Sequence, residues 1–500
     1  MQRFKVLLVY PNLQMMGLIP SNIAVLASYL KNSGIDVRVF DSTYYQITEK
    51  STEELRVEHM QVRPFNLKER GVGYKGTDIF KDFNEAISSY KPDIIGVTAT
   101  EDTYDLGLDL ISKVNARERG IHVIMGGVHT TFSPDEVINN ENIDSICIGE
   151  GEEALLELCM KMQLGQDITS IRNLWIKKDG KVYKNKIREP IDINNLPYED
   201  FSVFEEQRFF RPMQGKIFRM IPVCISRGCP YNCSFCAAEA QRRLYMNSGC
   251  KNHYLRLKPI SNIMDELKFQ IERYKISYIF FNSETFLARK EKDFEDFADR
   301  YSREIRLPFW CETRIETITR KRAHLLKHMN CDRVSVGVEH GNEKFRQKIL
   351  KKRFTNEQAI EAFDILNEYK IPISVNNIVG FPDETRELAF DTIKLNRRLR
   401  PDSISAFYFV PYRGTMLRQY CIEKGYIRPD AKSDTPYKSS VLTMPQFSSE
   451  QIKGIARTFP LYVKMPESYY NKIKIAEQLN EEGDKALAEL RGIYFKDHSR

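Results

Sequence analysis

Several features that would place this chain in a common class are missing from its sequence. No stretch approaches the roughly 18 consecutive apolar residues of a membrane-spanning helix. The N-terminus enters an apolar run, Lys5–Tyr10, without a basic and apolar leader, so we expect no secretory signal. The net charge of +7 is small for 500 residues and has no dense basic block. We therefore expect no nucleic-acid partner, although the charge allows an anionic or lipid-surface substrate.

The sequence shows no disulfide-like pairing pattern of cysteines, and their distribution indicates the compartment. Most of the ten cysteines stand singly in apolar or strand-like sequence, which favours a reducing cytoplasm over a disulfide framework. Hydrophobic residues make up 42% of the chain and charged residues 29%, as in globular proteins. The length exceeds what one ordinary core can support, so two or three domains are predicted.

One group of cysteines departs from this scatter. Cys229, Cys233 and Cys236 form a C-x3-C-x2-C motif, and thiolates are preferred ligands of iron–sulfur clusters and of zinc. Three thiolates can hold three irons of a cubane cluster and leave the fourth iron open to a ligand. A structural zinc site is the alternative, with Cys250 or His253 as a fourth ligand. The spacing of a ferredoxin-type electron carrier does not match, because proline follows the first cysteine here and not the last.

The first 165 residues alternate short apolar runs with helical patterns. This alternation predicts an α/β fold with a doubly wound, flavodoxin-like sheet of five parallel strands, whose ligands bind at the carboxyl ends of the strands. No G-x-G-x-x-G follows the first strand, which argues against a dinucleotide site. Residues 46–78 are polar and long, and we interpret them as a surface insertion. The predicted strands are Lys5–Tyr10, Asp36–Asp41, Asp93–Ala99, His122–Val128 and Ser145–Gly149.

The rest of the chain predicts three further regions. Residues 166–218 read as a linker containing a hairpin over Asn173–Tyr183. Residues 219–428 predict a partial (β/α)6 barrel of the TIM type, with active residues at the carboxyl ends of its strands. Residues 429–500 predict a C-terminal helical cap. The predicted barrel strands are Pro222–Ser226, Tyr278–Asn282, Phe309–Arg314, Arg333–Glu339, Ile373–Gly380 and Ser403–Val410.

The cysteine motif, with Phe235 just before its last cysteine, resembles that of the radical S-adenosylmethionine enzymes. The resemblance implies that Cys229, Cys233 and Cys236 are the catalytic metal ligands and hold a 4Fe–4S cluster. It also implies that the open iron binds S-adenosylmethionine next to Phe235. An external one-electron donor such as flavodoxin or ferredoxin would reduce the cluster, and cleavage of S-adenosylmethionine would give a 5′-deoxyadenosyl radical.

Other positions match the same family. The segment V-G-V-E-H-G resembles the family's G-x-E-[SH]-G and implies that Glu339 contacts S-adenosylmethionine. Arg353 matches a basic position of the family that is suited to bind the carboxylate of S-adenosylmethionine. Gly380 lies in a segment that resembles the family's G-x-P-x-E-T. Arg314 stands where the family often has a strand-end arginine. Glu284 replaces one of the family's adjacent aspartates and is predicted to receive the methionine amino group.

The first domain resembles the cobalamin-binding domain found ahead of many radical S-adenosylmethionine cores. The resemblance rests on G-G-V-H-T-T, its spacing to G-E-G-E, and a Pro-rich loop after the first strand. The D-x-H-x-x-G signature is absent and His129 does not replace it, so we predict cobalamin with no histidine below the cobalt. A degenerate domain that holds no corrin is the alternative. The implied cobalamin contacts are Thr98, Gly126, Gly127, His129, Gly149 and Glu150.

Together these resemblances imply a cobalamin-dependent radical S-adenosylmethionine enzyme. The predicted reaction methylates an unactivated carbon or phosphorus of a small-molecule, lipid or natural-product substrate through a 5′-deoxyadenosyl radical and methylcobalamin. The alternatives are radical cyclisation or oxidation without methyl transfer, and a non-catalytic corrin- or metal-binding sensor. A tRNA methylthiotransferase is disfavoured, because the first domain has only Cys147 and Cys159 in place of a second cysteine trio.

Overall fold

The structure, a computed structural model, describes residues 3–497 except 14, 16, 252, 253 and 434. The chain forms two compact units. The first contains Met1–Ser51, Lys68–Phe209 and Ala240–Arg256. The second contains Thr52–Leu67, Phe210–Glu239 and Leu257–Arg500.

The first unit is built on a seven-stranded sheet in the order β2-β1-β3-β4-β5-β6-β7. Strands β1 to β5 are parallel, and their order 2-1-3-4-5 is that of flavodoxin-like sheets. The predicted five-stranded, doubly wound arrangement is confirmed. The strands are β1 Lys5–Tyr10, β2 Asp36–Asp41, β3 Ile94–Thr98, β4 His122–Gly126, β5 Ser145–Cys147, β6 Leu174–Lys178 and β7 Lys181–Lys184.

The helices of this part of the chain place apolar residues against the sheet. In the helix that begins at Ile79, the buried residues Ile79, Phe83, Ile87 and Tyr90 recur every three or four positions. Asp78 caps this helix, since its side chain accepts hydrogen bonds from two backbone N–H groups of the first turn. The helices are α1 Ser21–Asn32, α2 Thr52–Glu58 (in the second unit), α3 Ile79–Tyr90, α4 Tyr104–Ser112, α5 Val128–Phe132, α6 Pro134–Ile138 and α7 Glu152–Gln163.

The hairpin expected in the linker belongs to the sheet of the first unit. Strand β6 pairs antiparallel with β5, with Ile176 opposite Ser145. Leu174 and Ile176 are fully buried, whereas Trp175 between them is only partly buried, so one face of β6 extends the core. Pairing also covers the edge of β5, which would otherwise leave unpaired N–H and C=O groups.

The second unit contains the predicted barrel. Its seven-stranded sheet has the order β16-β15-β14-β13-β12-β9-β8, in which six neighbouring strands are parallel and β8 pairs antiparallel with β9. The partial six-stranded barrel is thus confirmed, with one extra strand that the sequence did not indicate. The strands of this sheet are β8 Phe210–Met213, β9 Lys216–Val223, β12 Tyr278–Phe281, β13 Phe309–Thr313, β14 Cys331–Glu339, β15 Ile373–Val379 and β16 Ser403–Tyr408. The short strands β10 Ser226–Arg227 and β11 Arg256–Leu257 form a separate two-stranded sheet.

Helices cover one face of this sheet and form the predicted C-terminal cap. Helix α16 packs on α14 and β16, and α17 packs on α18. No helix within the described part of the chain is long and apolar enough to cross a membrane. The helices are α8 Ala237–Asn247 (in the first unit from Ala240 on), α9 Ile260–Tyr274, α10 Glu291–Glu304, α11 Arg320–His328, α12 Glu343–Lys348, α13 Asn356–Glu368, α14 Arg386–Leu399, α15 Met416–Glu423, α16 Ser449–Lys464, α17 Tyr470–Ala476 and α18 Glu481–Asp497.

The two faces of the barrel sheet differ in chemistry. On the helix-covered face, the rings of Phe281, Phe309 and Tyr301 lie with centroids 5.1 to 5.9 Å apart. On the opposite, concave face the indole N–H of Trp310 donates a hydrogen bond of 2.7 Å to Ser335 Oγ. Because side chains alternate along a strand, polar residues two positions from Trp310 and Ser335 also face the concave side.

The interpretation of residues 46–78 as a surface insertion is wrong for residues 52–67, which belong to the barrel unit. Arg211 on β8 and Glu53 form a buried ion pair of 2.9 Å. The Gln61 side chain donates to the carbonyl oxygen of Ala406 on β16 at 3.1 Å. Since β8 and β16 are the two edges of the sheet, this segment reaches both edges of the open barrel. Its polar composition reflects these partners and does not indicate exposure to water.

Candidate active site

The three predicted cluster cysteines lie on one loop that leaves the carboxyl end of the first barrel strands. Gly228, with φ +88°, turns the chain after β10, and α8 begins directly after Cys236. The backbone N–H of Ser234 donates to Leu350 O at 3.2 Å, and Ser234 O accepts from the N–H of Leu417 at 3.1 Å. The loop is therefore held by two other segments of the same unit.

The chemistry of the thiols suits the predicted cluster. None of the three is in a disulfide, and burial raises the pKa of Cys229 and raises that of Cys236 to about 11. Buried thiols with raised pKa values stay protonated near neutral pH until a metal displaces the proton. Arg314 Nη1 donates to Cys233 Sγ at 2.9 Å, which places a cation beside one thiol. Three unpaired thiols with an adjacent cation fit a thiolate-bound iron–sulfur cluster.

The proposed fourth zinc ligands lie elsewhere or outside the described residues. Cys250 belongs to the first unit, where its thiol contacts Arg188 O at 3.3 Å. His253 lies outside the described residues. Within the described ranges, no three His, Cys, Asp or Glu side chains are grouped so as to hold a single metal ion.

Arg314 has a role that the sequence alone did not indicate. Its guanidinium contacts Cys233 Sγ, pairs with Glu316 at 2.6 Å and lies 3.8 Å from the centroid of the Tyr231 ring. A hydrogen bond to a cluster thiolate stabilises its negative charge and tunes the cluster's reduction potential. The predicted contact of Arg314 with S-adenosylmethionine is a separate role. The interactions of Arg314 with Cys233, Glu316 and Tyr231 do not bear on that role.

Glu284 lies beside the cysteine loop. Its Oε1 accepts a hydrogen bond of 3.3 Å from the backbone N–H of Gly228. The neighbouring Thr285 hydroxyl lies 3.9 Å from Cys229 Sγ. The segment after β12 therefore brings a carboxylate close to the loop that carries the first cysteine.

Glu339 ends β14 in a strained conformation. Its φ is +67°, which is rare for a residue other than glycine and is concentrated at functional sites. Lys352 Nζ lies 3.1 Å from Glu339 Oε1 and donates to Gly337 O at 2.6 Å. A Cβ on Gly337 would lie 2.3 Å from Glu339 Oε1, so the carboxylate folds back over that glycine. Arg353 is exposed, so the basic side chain that meets Glu339 is Lys352.

A buried His–Glu pair supports the loop at Gly380. Glu384 Oε2 accepts hydrogen bonds from the backbone N–H groups of Gly380, at 2.5 Å, and Phe381, at 3.0 Å. His340 Nε2 lies 3.2 Å from Glu384 Oε1, and both side chains are fully buried. The Phe235 ring meets Phe381 edge-on, with centroids 5.8 Å apart. Sequence reasoning missed these supporting roles, although His340 and Glu384 lie within the two family-like segments.

In the first unit, the predicted cobalamin contacts meet at the carboxyl edge of the sheet. Thr98 and Gly126 pair at the ends of β3 and β4. Gly127 follows with φ +101° and ψ 178°, and a Cβ there would lie 2.5 Å from Ala99 O. His129 is buried with its ring 4.2 Å from that of Tyr104. The space beside Gly127 is filled by the backbone of Ala99, so glycine at this position allows two backbone segments to approach closely at the sheet edge.

Gly149 and Glu150 also lie at this edge of the sheet, and residues far along the chain contact them. A Cβ on Gly149 would lie 2.5 Å from the Tyr245 hydroxyl, which accepts the Glu150 N–H at 2.8 Å. The Glu150 carboxylate binds the Arg256 guanidinium through two hydrogen bonds, of 2.6 and 2.9 Å, and accepts the N–H of Ile191. The carboxylate is thus engaged within the protein. Nothing in the sequence pointed to Tyr245 or Arg256.

Two family models match separate parts of the chain. The radical SAM superfamily model matches residues 223–395, and the B12 binding domain model matches residues 17–159. The first match contains the three cysteines together with Glu339 and Gly380, and the second contains the glycine-rich sheet edge. These matches confirm the predicted set of cofactor classes: the cluster and S-adenosylmethionine of radical SAM enzymes, and a B12 domain.

Curated relatives share much of the length. An uncharacterised methyltransferase from Pyrococcus horikoshii is 28% identical over 383 residues, which is 76% of this chain and 80% of the relative. An anaerobic magnesium-protoporphyrin IX monomethyl ester cyclase from Rubrivivax gelatinosus is 26% identical, with 66% of this chain and 58% of the relative covered. A cytidylyl-2-hydroxyethylphosphonate methyltransferase from Streptomyces wedmorensis is 19% identical, with coverage of 88% and 85%.

Solved structures show the same fold. The radical S-adenosylmethionine methyltransferase TsrM from Kitasatospora setae, with cobalamin and a [4Fe-4S] cluster bound, matches 98% of this chain and 100% of that chain, with a TM-score of 0.65 at 15% identity. The cobalamin-dependent enzyme OxsB with aqua-cobalamin bound matches 100% of this chain and 72% of that chain, with a TM-score of 0.67 at 15% identity. At such identities the likeness supports the fold and carries no residue roles.

Proposed function

The chain belongs to the radical S-adenosylmethionine enzymes that carry a B12-binding domain, and we propose that it transfers a methyl group to an unactivated carbon or phosphorus. The substrate we propose is a small molecule, a lipid or a natural-product intermediate. The observation that carries the proposal is the cysteine loop with Arg314 on one thiol, in the unit that also presents the Glu339–Lys352 pair. Two of the relatives described above are named as methyltransferases.

The residues of the barrel unit divide the work of holding the two ligands. We propose that Cys229, Cys233 and Cys236 hold the cluster, while Glu284 and Glu339 bind the cationic part of S-adenosylmethionine. Gly380, held in its left-handed conformation by Glu384, would let the backbone approach the adenosine. Arg353 stays a proposed contact of the methionine carboxylate, and Arg314 stays a proposed contact of S-adenosylmethionine. When bound, the cluster supplies the electron that cleaves S-adenosylmethionine, and cobalamin carries the methyl group.

The residues of the first unit would bind the corrin without donating a ligand to cobalt. We propose that Thr98, Gly126, Gly127 and Gly149 lie against it through backbone and small side chains. His129 is 2% exposed and packs on Tyr104, a buried position that supports a structural role and not a ligand from below. The backbone of Glu150 is the part proposed to contact the cofactor, since its carboxylate binds Arg256.

A second candidate function is radical cyclisation or oxidation without methyl transfer. The cyclase from Rubrivivax gelatinosus favours it, since the similarity to that enzyme covers 66% of this chain. Both reactions would use the same cysteine loop and an external one-electron donor such as flavodoxin or ferredoxin. They differ in the product, because only methyl transfer adds carbon to the substrate and yields S-adenosylhomocysteine.

The test is anaerobic purification, cluster reconstitution and incubation with deuteromethyl S-adenosylmethionine, a reduced flavodoxin and a metabolite extract. We expect one bound cobalamin per chain, 5′-deoxyadenosine and S-adenosylhomocysteine, and a product carrying the labelled methyl. The matched control is Cys236→Ser, which should keep cobalamin and form no 5′-deoxyadenosine. Absence of bound cobalamin would remove the methyl-transfer claim. A product that has lost hydrogen and gained no label would favour cyclisation or oxidation.

A further inference from the structure

Glu312 on β13 is a carboxyl to which the described part of the chain offers no hydrogen-bond or ion-pair partner. It lies two residues after Trp310 and opposite Ser335 in the strand register, so it faces the concave side of the barrel. Among the described residues, its side chain makes no hydrogen bond and no ion pair. A partly buried carboxyl of this kind is satisfied by a ligand or by a proton.

Two other carboxylates face the same region. Glu339 on the neighbouring β14 folds back over Gly337, the residue two positions beyond Ser335, because that glycine has no side chain. Glu284 reaches the region from the segment after β12. Burial, followed by the charges of Glu339 and Glu284, raises the pKa of Glu312 to about 7.

The remaining charged and titratable groups around Glu312 do not neutralise it. Lys352 is paired with Glu339, and Arg314, the residue directly after β13, is engaged with Cys233 and Glu316. The Tyr437 ring is also close enough for the charge of Glu312 to act on its hydroxyl, and burial raises the pKa of that hydroxyl. Beyond Tyr437 lie Arg56, whose guanidinium carbon is 5.9 Å from the ring centroid, and the Arg211–Glu53 ion pair.

We propose that Glu312 is a proton-linked positioning residue of the S-adenosylmethionine site, protonated while the site is empty and ionised when the cationic ligand binds to Glu284 and Glu339. The inference rests on the proposed function. On binding, the O–H bond of the Glu312 carboxyl breaks, the proton passes to the buffer and the electron pair stays on the carboxylate. The fraction of molecules in which Glu312 is ionised thereby rises when S-adenosylmethionine binds.

The direction of the pH dependence follows from this linkage. A ligand whose binding releases a proton binds more tightly as pH rises through the pKa of the releasing group. With the pKa of Glu312 at about 7, about half of the molecules carry this proton at pH 7. We therefore expect about 0.5 proton released from Glu312 per bound ligand at pH 7, falling towards zero by about pH 8.5.

The experiment is calorimetric titration of the reconstituted enzyme with S-adenosylmethionine in buffers of different ionisation enthalpy. The wild type should release about 0.5 proton more than Glu312→Gln at pH 7. Any proton lost by the ligand's own amino group is common to both proteins and cancels in this difference. The matched control is Glu361→Gln on the exposed face of α13, which should behave as the wild type. Binding with equal proton release in wild type and Glu312→Gln would overturn the proposal alone. Absence of binding to the wild type would overturn the proposed function as well.

A second measurement does not depend on the folding of Glu312→Gln. In a Trp175→Phe background, Trp310 is the one tryptophan left, and it lies on the same strand face as Glu312. Its emission should show a pH transition near 7 in the ligand-free enzyme that moves to lower pH when S-adenosylmethionine is added. A transition that S-adenosylmethionine does not move would overturn the proposal.

Discussion

Replacing Gly127 by alanine should destabilise the first unit far more than an ordinary glycine replacement. Its φ of +101° and ψ of 178° lie in a region that is almost exclusive to glycine. An added Cβ would also lie 2.5 Å from Ala99 O and 2.7 Å from Ala99 N, both backbone atoms that cannot rotate away. The conformational cost is about 1–3 kcal/mol, and the backbone displacement adds about 1–3 kcal/mol more. Together the two contributions give an expected loss of about 2–6 kcal/mol.

The two tryptophans allow this loss to be measured in one unit at a time. Trp175 packs against the core of the first unit, and Trp310 lies in the second. In a Trp310→Phe background, urea unfolding followed by fluorescence therefore reports on the first unit alone. The matched control is Gly120→Ala, since Gly120 has a φ of +66° but a Cβ there would meet nothing within 4 Å.

The control separates conformational strain from the backbone clash. Gly120→Ala should cost about 1 kcal/mol, because only the left-handed conformation is penalised. Equal losses for the two variants would refute the claim that the approach of Ala99 requires a glycine at position 127. Cobalamin affinity should fall in Gly127→Ala and stay unchanged in Gly120→Ala, as measured by equilibrium binding under native conditions.

Three further perturbations test other contacts. Arg314→Gln should lower the midpoint potential of the reconstituted cluster by about 60 mV or more, since a charge-assisted hydrogen bond contributes about 1.5–3 kcal/mol. An unchanged midpoint potential in an EPR redox titration would contradict this expectation. Glu53→Gln should destabilise the barrel unit by about 2 kcal/mol, because the buried charge of Arg211 loses its partner. Unfolding followed by Trp310 fluorescence in a Trp175→Phe background measures this loss, and the exposed Glu361→Gln is the control. Tyr245→Phe should cost the first unit about 1–2 kcal/mol by leaving the Glu150 N–H without its acceptor, and an unchanged midpoint of the Trp175 signal would refute this.

The sequence by itself determined the parts of this protein that depend on local pattern. Buried runs alternating with amphipathic helices fixed both parallel sheets, since strand and helix periodicities are properties of short segments. The cysteine spacing placed all three thiols on one loop, because ligands so close in sequence cannot separate far in space. Gly127 and Gly380 were singled out by the two family-like segments in which they stand, and the structure gives both a positive φ.

Only the tertiary structure decided which distant side chains meet. Polar composition made residues 52–67 look like an insertion, whereas their charges and amides are satisfied by β8 and β16. Within the basic triplet at 351–353, no local pattern distinguishes the lysine that folds onto Glu339 from its exposed neighbour. In the sequence, Glu312 is an ordinary strand residue. Only the pairing of β13 with β14 shows that it lies near the carboxylates of Glu339 and Glu284. Periodicity is a property of the local sequence, whereas the pairing of charged side chains depends on which strands become neighbours in the fold.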